Sequence, residues 1–356
     1  MELNLVKEII YFAVLLEGAN TGASKKVEDQ ANLWKKKGHK VKIFVLTSEK
    51  FLLDWKDKSD YIVLHQGQGI KKLLNRYKVS KIILSSAPDI MYLRDSFPFV
   101  LPRKNSKTRI VLEVQSKLHT EVFARSLVLG ILSLFLDFFY LSKMDKFIFV
   151  STELSQTKRF KKYIRPGNST VISNGIALER ITKLDFSAGA NQFELIFLGQ
   201  DGQPWHGVEQ IIELARALPE FKFHLVGIYE EKSNRPQNLF FYGHLTEEKY
   251  RSIAKKCCVA IGTLNLKEKK MKEGSSLKLR EYLALGLPVI IRYSDSDFME
   301  FRDFILQIPD NEEPITHFSK VVEEFTRYWH GRRVSRDLIA HVDINIKEKA
   351  RLSFLF

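Results

Sequence analysis

The sequence predicts an α/β protein with two doubly wound parallel sheets, each in a Rossmann-like domain. Short apolar segments alternate with helical patterns in two successive series, and a polar stretch over 184–192 separates the series. Such alternation is typical of parallel sheets covered by helices. A length of 356 residues accommodates two domains of ordinary size. We predict an N-terminal domain over 1–185, a C-terminal domain over 186–340, and a final helix over 341–356 that could pack back on the N-terminal domain.

The predicted strands are runs of apolar and β-branched residues. In the first domain they are 8–16, 40–47, 61–66, 81–86, 109–114, 146–151 and 171–176. In the second domain they are 193–199, 222–227, 239–243, 259–264 and 287–292. Helical patterns lie between them, as at 207–219 and 246–257. Because open parallel sheets bind ligands beyond the carboxyl ends of their strands, we expect a site in the loops there, in a cleft that both domains face.

The composition narrows the class of partner and the compartment. Lys and Arg number 56 against 42 acidic residues, a net charge of +14, which favours an anionic partner: nucleic acid, an acidic membrane surface or a phosphorylated small molecule. Cys257 and Cys258 are adjacent, so neither a disulfide framework nor a metal-ligand spacing arises from them. No basic segment precedes an apolar run at the start of the sequence. These features predict a cytoplasmic protein without a signal peptide.

The longest apolar run covers 126–141 and reads SLVLGILSLFLDFFYL. It is short for a membrane span, contains Asp137, and is flanked by Arg125 and Lys143. A helix that is apolar on all sides is usually buried in a core, whereas a helix with a basic polar face can lie on a membrane surface. The sequence leaves both interpretations open.

The stretch EGSSLKLREYLALGLPVII, over 273–291, carries the strongest chemical pattern. Gly274-Ser275-Ser276 is typical of a helix start, where backbone N–H groups and the helix dipole suit a diphosphate. Lys278 adds a charge in the first turn, and Glu281 is placed to accept hydrogen bonds from a ribose. Glu273 precedes the helix and is placed at the sugar, on the other side of the phosphates. This spacing fits a nucleotide sugar. The alternative is an amphipathic helix with acidic residues near its start.

The pattern Glu273-x7-Glu281, followed by Tyr-Leu-Ala-x-Gly-x-Pro-Val, resembles the donor-site signature of the family 4 retaining glycosyltransferases (glycosyl transferases group 1), which have the GT-B fold. Four more stretches resemble that family in the expected order: TGASKKVEDQANLWKKKGHKVKIF at 21–44, VISNGI at 171–176, FLGQDGQPWHGVEQII at 197–212 and FYGHLTEEKY at 241–250. The resemblance spans nearly the whole chain and is most specific in the second domain. It implies two Rossmann-like domains that face a central cleft.

The resemblance implies a role for each matching residue. Glu273 would contact the transferred sugar, and Glu281 the ribose of the donor. Residues of the surrounding loops and helix starts would also bind the donor: Gly22, Gly199, His206, Gly207, Gly243, His244, Ser275, Ser276, Leu277 and Lys278. Gln115 and His119 are equal candidates for the catalytic position near the sugar, where the family has histidine.

Two positions near the leaving diphosphate depart from the family. The family often has arginine and lysine there, and this chain has Gln200 and His206. Positive charge at the diphosphate would then depend on protonation of His206 at about pH 6.5, or on Lys278.

The resulting prediction is a retaining hexosyltransferase that moves a sugar from a nucleotide-diphosphate sugar, with a UDP-sugar as first choice, to a glycan or lipid-linked glycan in cell-surface polysaccharide synthesis. Such enzymes lack an obvious protein nucleophile, so the departing diphosphate helps to deprotonate the acceptor. We expect no cofactor and no required metal, because no Asp-x-Asp motif stands where a transferase of the other major fold would need one. The predicted partners include an anionic membrane surface and exclude nucleic acid. The predicted location is the cytoplasm, with peripheral attachment at the inner membrane face.

Other functions fit parts of the sequence. A nucleotide-sugar epimerase of the same fold would use a similar donor site, and a non-catalytic accessory protein would be consistent with Gln115 and Gln200. Charge alone suggests a nucleic-acid binder, but no recognisable module supports that function. A dehydrogenase is disfavoured because no G-x-G-x-x-G follows the first strand of either domain.

Overall fold

The computed structural model describes residues 6–15, 22–47, 61–65, 78–94 except 80 and 84, 107–120 except 118 and 119, 127–187, 189, 192–229 and 235–356. The chain divides into two compact units. Unit 1 lies within residues 1–175 and 344–356, and unit 2 lies within residues 176–343. Each unit is built around its own parallel sheet.

The sheet of unit 1 has the strand order of a Rossmann-like fold. Its described strands are β1 (Glu8–Leu15), β2 (Lys40–Thr47), β3 (Tyr61–His65), β4 (Ile90–Arg94), β5 (Arg109–Val114), β6 (Lys146–Phe149) and β7 (Ser169–Val171). They lie in the order β3-β2-β1-β4-β5-β6-β7, and neighbouring strands are parallel. The strand order reverses between β1 and β4, which is where such sheets bind ligands.

The sheet of unit 2 repeats this architecture. Its described strands are β8 (Glu194–Leu198), β9 (Lys222–Val226), β10 (Leu239–Phe241), β11 (Val259–Ile261), β13 (Val289–Ile291) and β15 (Ile305–Gln307). They lie in the order β10-β9-β8-β11-β13-β15 and are parallel. A separate parallel pair joins β12 (Glu273–Gly274) to β14 (Ser294–Asp295). The predicted fold class, two doubly wound parallel sheets, is confirmed.

Helices connect the strands and cover the sheets. The main α-helices are α1 (Gly22–Lys36), α2 (Leu127–Leu141), α3 (Thr152–Ser155), α4 (Lys158–Lys161), α5 (Val208–Ala217), α6 (Glu247–Ala254), α7 (Leu277–Ala284), α8 (Ser319–Trp329) and α9 (Ile344–Leu355). The last helix packs against α1 within unit 1, where the indole N–H of Trp34 donates to Glu348 at 2.9 Å. Trp34 also contacts the rings of Tyr11 and Tyr92, with centroids 5.0–5.6 Å apart, in the core beneath the sheet.

The predicted strand at 81–86 is wrong, because residues 81–83 and 85 are helical. Ile82 is exposed there, and its carbonyl accepts hydrogen bonds from the hydroxyls of Ser85 and Ser86, which satisfy the backbone locally in place of a sheet ladder. The strand beside β1 is instead β4, whose Tyr92 pairs in register with Tyr11. Sequence reasoning missed this short strand and also β15.

The chain joins unit 2 from Ile176 onward. The N–H of Ile176 donates to Val342 O at 3.0 Å, and the N–H of Leu184 donates to Leu285 O at 2.9 Å. The guanidinium of Arg336 donates to the carbonyl of Ile181 at 2.6 Å. These bonds hold residues 176–185 in unit 2, whereas the sequence placed the domain boundary at 185.

A cluster of charged side chains is buried near the carboxyl ends of β4 and β5. The carboxylate of Glu113 lies 2.9 Å from Lys26 Nζ and 3.0 Å from Arg351 Nη2, and all three side chains are buried. Lys26 also donates to Asn174 Oδ1 at 2.7 Å. Burial raises the pKa of Glu113, but the charges of Lys26, Arg351 and Arg94 outweigh burial and lower the pKa to about 2. The Glu113 carboxylate is therefore ionised at neutral pH and holds α1, β5 and α9 together.

The helix α2 occupies most of the apolar run at 126–141 and has two different sides. Ser133, Asp137 and Tyr140 are buried, whereas Ile131 and Phe138 are exposed. The interpretation of this run as a helix buried on all sides is therefore wrong. Among the described residues, no helix is long and apolar enough to cross a membrane.

Candidate functional site

The predicted donor segment begins as a strand that the sequence did not indicate. Glu273 and Gly274 form β12, pair with Ser294 and Asp295 of β14, and are buried. The chain then reaches Ser276, the N-cap residue, and α7 begins at Leu277 as predicted. The Ser276 side chain makes no capping hydrogen bond, so the N–H groups at this helix start require other acceptors.

Arg280 fixes the start of α7. Its Nη1 donates to Ser276 O at 2.9 Å, and its two terminal nitrogens bind Asp295 at 3.0 and 3.1 Å. Asp297 also accepts a hydrogen bond from Arg280. The Asp-x-Asp sequence at 295–297 thus binds an arginine. Because Arg280 and Asp295 are fully buried, this ion network makes the position of the helix start rigid.

Lys278 lies in the first turn of α7 and is the most unusual residue of the site. Its Nζ is buried and, within the described part of the chain, has no hydrogen-bond partner. The ammonium lies 4.0 Å from the centroid of the Phe197 ring, at the end of β8. Burial lowers the pKa of Lys278 to about 7, and the nearby charge of Glu281 opposes that shift. A buried amine with unused donors is costly unless an anion binds it.

His206 approaches the same phenylalanine from the loop after β8. Its ring centroid lies 5.4 Å from that of Phe197. Burial and the charge of Lys278 lower the pKa of His206 to about 3, so this histidine is neutral at physiological pH. The expectation that its charge changes near pH 6.5 is wrong. The N–H of Gln200 donates to His206 Nδ1 at 3.5 Å, which places the ring proton on Nε2 as a neutral donor.

Glu281 lies on α7 and has a partner that the sequence did not suggest. The hydroxyl of Tyr250, on α6, donates to Glu281 Oε1 at 2.6 Å. The second oxygen, Oε2, has no hydrogen-bond partner among the described residues. The structure therefore orients this carboxylate and leaves one oxygen for a ligand hydroxyl.

Glycines form the edge of the unit 2 sheet beside these residues. Gly199 follows β8 and Gly243 follows β10, and the N–H of Gly243 donates to Ile228 O at 3.0 Å. Gly227, with φ +81°, packs directly on the Gly199 carbonyl, so no side chain fits there. Gly207, with φ +75°, is the N-cap residue of α5. His244 is exposed and its N–H donates to the Tyr229 hydroxyl at 3.4 Å.

A cavity of about 700 Å³ opens beside this glycine edge. Its lining includes Gln200, Gly207, Ile228, Tyr229 and Phe241. This volume and its mixture of aromatic and polar groups suit a nucleoside-sized ligand.

The remaining predicted site residues belong to unit 1. Gly22 is exposed and is the first residue of α1. Gln115 directly follows β5, and its Nε2 is buried without a partner among the described residues. His119 lies outside the described residues, so the choice between Gln115 and His119 stays open.

Sequence reasoning missed Tyr250 and Arg280, which position the predicted residues. Tyr250 is 31 positions from Glu281, and no local pattern links the two. Arg280 carried a weak signal, since it stands between Leu279 and Tyr282 in a helix whose neighbouring residues are buried.

One trio of described residues could hold a metal ion: Glu194, His224 and Cys257, with ligand atoms within 4.8 Å of one another. Both nitrogens of His224 are already engaged, by Glu194 at 3.0 Å and by the Tyr242 hydroxyl at 2.8 Å. Burial raises the pKa of the Cys257 thiol, which disfavours the thiolate that a metal requires. Glu194 is the first residue of β8, so this trio lies at the amino edge of the sheet, opposite Gly199.

No protein-family model and no curated protein matches the sequence. Solved structures match over nearly the full length. The lipopolysaccharide outer core galactosyltransferase WaaB, in its apo form, has a TM-score of 0.66 and 12% identity, covering 98% of this chain and 99% of that chain. A glycosyltransferase from Rickettsia africae ESF-5 has a TM-score of 0.62 and 13% identity, covering 98% and 97%. Anabaena Alr3699/HepE in complex with UDP-glucose has a TM-score of 0.62 and 15% identity, covering 98% and 99%. These similarities show that the chain has the GT-B fold.

Proposed function

We propose that this protein is a retaining glycosyltransferase of the family 4 type, which transfers a hexose from a nucleotide-diphosphate sugar, with UDP-sugar as first choice. The observation that carries this proposal is the buried Lys278 amine, which has no hydrogen-bond partner among the residues that the structure describes and lies at a helix start near His206. Support for the donor class comes from Anabaena HepE, which has the same fold and whose structure contains UDP-glucose. A fold alone does not define chemistry, so the proposal depends on the site.

The start of α7 has the features of a diphosphate site. The N–H groups of Ser275, Ser276 and Leu277 lie at the positive end of the helix dipole and would bind phosphate oxygens. Lys278 would supply a full charge once an anion restores its protonation. His206 would donate from Nε2 without a charge. The sequence left open whether His206 or Lys278 carries the positive charge at the diphosphate. In this arrangement Lys278 carries it.

The neighbouring residues would place the rest of the donor. The Glu281 oxygen that does not accept from Tyr250 would accept from a ribose hydroxyl. The 700 Å³ cavity would hold the base; Tyr229 lines it, and Gly243 and His244 lie against Tyr229. Glu273, fixed on β12, would contact the transferred sugar and stabilise positive charge that develops at its anomeric carbon.

The reaction would proceed without a nucleophile from the protein. The acceptor hydroxyl would attack on the face from which the diphosphate departs, and the departing phosphate oxygen would take its proton. The protein would hold the reactants and stabilise the leaving group through the α7 N–H groups, Lys278 and His206. We propose that no metal is required, since these groups would supply the electrostatic stabilisation.

A second cavity, of about 470 Å³ in unit 1, is the proposed acceptor site. Its lining includes Ser116, Lys117 and Thr120, together with Leu134 and Phe138 of α2. Such a mixture of cationic and apolar groups suits a glycan linked to a lipid phosphate. We therefore propose a glycan or lipid-linked glycan acceptor in cell-surface polysaccharide synthesis, on the cytoplasmic side of the membrane.

The test of the proposed activity is nucleotide release from a panel of nucleotide sugars, with and without EDTA. We expect release from at least one UDP-sugar at an unchanged rate in EDTA. Proton NMR of the product should show that the anomeric configuration of the donor is retained. No release from any donor, with or without a lipid-linked acceptor extract, would contradict the transferase proposal. Inversion would contradict the retaining mechanism only.

Replacement of Glu281 by alanine is expected to weaken binding of the preferred nucleoside diphosphate by about 5- to 150-fold, or roughly 1–3 kcal/mol, the range for a hydrogen bond to a charged group. Tyr250→Phe should weaken it less, because the carboxylate remains and loses only its orientation. Calorimetric titration measures both constants. A Glu281→Ala protein that binds as tightly as the wild type would remove Glu281 from the ribose site.

Diphosphate binding is expected to take up a proton through Lys278. Burial lowers the pKa of the Lys278 amine to about 7, so at pH 8 most free molecules carry a neutral amine. The bound diphosphate restores the charge, with uptake of about 0.9 proton per ligand at pH 8. Calorimetry in two buffers of different ionisation enthalpy measures this uptake. The proton uptake should vanish in Lys278→Met and persist in Lys256→Met, an exposed control that does not line the 700 Å³ cavity. No uptake by the wild type would show that Lys278 does not bind the phosphates.

A further inference from the structure

One side of α2 forms an apolar stripe on the surface of unit 1. Leu127, Ile131, Leu134 and Phe138 are spaced by four, three and four residues, which places them on one face of the helix. Each is between 52% and 68% exposed. Single exposed apolar residues are ordinary, but four on one helix face form a contiguous patch, and such patches mark interaction surfaces.

The opposite side of α2 is anchored, so the stripe has a fixed direction. Asp137 is buried and pairs with Arg159 of α4 through two hydrogen bonds, of 2.5 and 2.8 Å. Ser133 and Tyr140 are also buried. The helix therefore cannot rotate the stripe into the core without breaking a partly buried ion pair.

Exposed lysines lie on the segments next to the stripe. Lys158 and Lys162 line the same cavity as Leu134 and Phe138 of the stripe. Lys161 lies between these two lysines in the chain, Lys143 follows α2, and all four are exposed. The Lys162 ammonium lies 4.7 Å from the centroid of the Phe138 ring, which joins the basic and apolar parts into one surface. The nearby acid Asp137 is neutralised by Arg159, and Glu153 by Lys117 at 2.5 Å.

We propose that this α2–α4 surface, defined by the stripe and its four lysines, binds the face of an anionic lipid bilayer, with α2 lying in the plane of the interface. An apolar face bordered by lysines is the arrangement by which amphipathic helices bind acidic membranes. The occupant is a membrane and not a second copy of the chain, because two copies would bring the same lysines together. This binding does not depend on transferase activity. It would also present the 470 Å³ cavity, which shares Leu134 and Phe138 with the stripe, to lipid-linked molecules.

The experiment is sedimentation of the full chain with vesicles of phosphatidylcholine alone or with about one third phosphatidylglycerol. We expect binding to the anionic vesicles at least roughly tenfold tighter than to the neutral ones, and weaker binding as salt rises. The stripe variant, Ile131→Gln with Phe138→Gln, should bind the anionic vesicles about tenfold or more weakly than the wild type. The charge variant, Lys158→Glu with Lys161→Glu, should lose at least as much affinity for these vesicles.

Matched controls lie on unit 2. Val321 and Tyr328 of α8 are exposed apolar residues with the same seven-residue separation, and their double glutamine variant controls for loss of apolar surface. Lys249→Glu with Lys255→Glu changes the net charge by the same amount at exposed positions. Both control proteins should bind vesicles as the wild type does. Three results would each overturn the proposal. The wild type could fail to bind anionic vesicles, or the control variants could lose as much affinity as the stripe and charge variants. The third is a concentration-dependent dimer that only the stripe variant disrupts.

Discussion

Replacement of Glu273 by glutamine is expected to lower turnover of the nucleotide sugar by about 10²- to 10³-fold, the range for removal of one preorganised electrostatic contact. Glu273 is buried on β12, whose position is set by pairing with β14 and by the Arg280 network behind it. Glutamine keeps the shape of the side chain and removes its charge. The change should therefore act when positive charge develops on the sugar and leave the nucleotide in place.

The measurement separates these two effects. The rate of nucleotide release should fall in Glu273→Gln, while the dissociation constant of the nucleoside diphosphate stays within about twofold. The control is Glu312→Gln, an exposed residue of unit 2 that does not line the 700 Å³ cavity, which should change neither quantity. If turnover and nucleotide binding fall together in Glu273→Gln, this residue supports the fold of the segment and does not contact the sugar.

Replacement of Glu113 by glutamine is expected to destabilise unit 1 by about 3–5 kcal/mol, the cost of breaking a buried ion pair. The change removes the carboxylate that lies 2.9 Å from Lys26 Nζ and 3.0 Å from Arg351 Nη2. The Arg351 cation then loses one of its buried partners, and burial, which already lowers the pKa of Lys26 to about 7, is no longer opposed by the charge of Glu113. Because two units need not unfold together, hydrogen exchange of β1 and β5 is a better measure than a single melting temperature. The exposed Glu8→Gln, whose partner Lys40 is also exposed, should change exchange little.

The same carboxylate makes unit 1 sensitive to acid. The pKa of Glu113 in the folded protein, about 2, lies below its ordinary value. The unfolded chain therefore binds the proton more readily, and the stabilisation is present above about pH 4.5 and is lost as the pH falls towards 2. The protection factors of the β5 amides, which correct for the pH dependence of the intrinsic exchange rate, should fall over this range in the wild type. The Glu113→Gln protein should show a weaker dependence, and an equal dependence in both would assign acid sensitivity to other groups.

Local sequence patterns, such as apolar runs and helical spacing, predicted part of the structure. The helix α7 begins at Leu277, directly after Ser276, as the small residues before it and the apolar residues at helical spacing predicted, although the Ser276 side chain makes no capping hydrogen bond. Most strands coincide with the apolar runs that predicted them. The run at 81–86 failed because its serines bond to the local backbone, and β4 was missed because five residues carry little periodic signal.

Features that depend on contacts between residues far apart in the chain were not predicted. The bond from Tyr250 to Glu281 and the network from Arg280 to Asp295 each join separate segments. The sequence analysis expected His206 at the diphosphate with an ordinary pKa. Burial and the charge of Lys278 lower that pKa, so the His206 ring is neutral. Burial is a property of the packed chain. The exposure of one side of α2 is likewise set by packing, since its composition is apolar on both sides.

The central claim is that the start of α7, with Lys278, binds the diphosphate of a nucleotide donor. The most direct measurement is calorimetric titration of the intact protein with UDP, GDP, ADP and CDP, each beside its nucleoside without phosphates. We predict that one diphosphate, UDP first, binds clearly, and that its nucleoside binds at least roughly 100-fold more weakly, since the phosphate contacts are charge-assisted. Absence of binding by all four, or equal binding of nucleoside and diphosphate, would contradict the claim and leave α7 as a well-anchored structural helix.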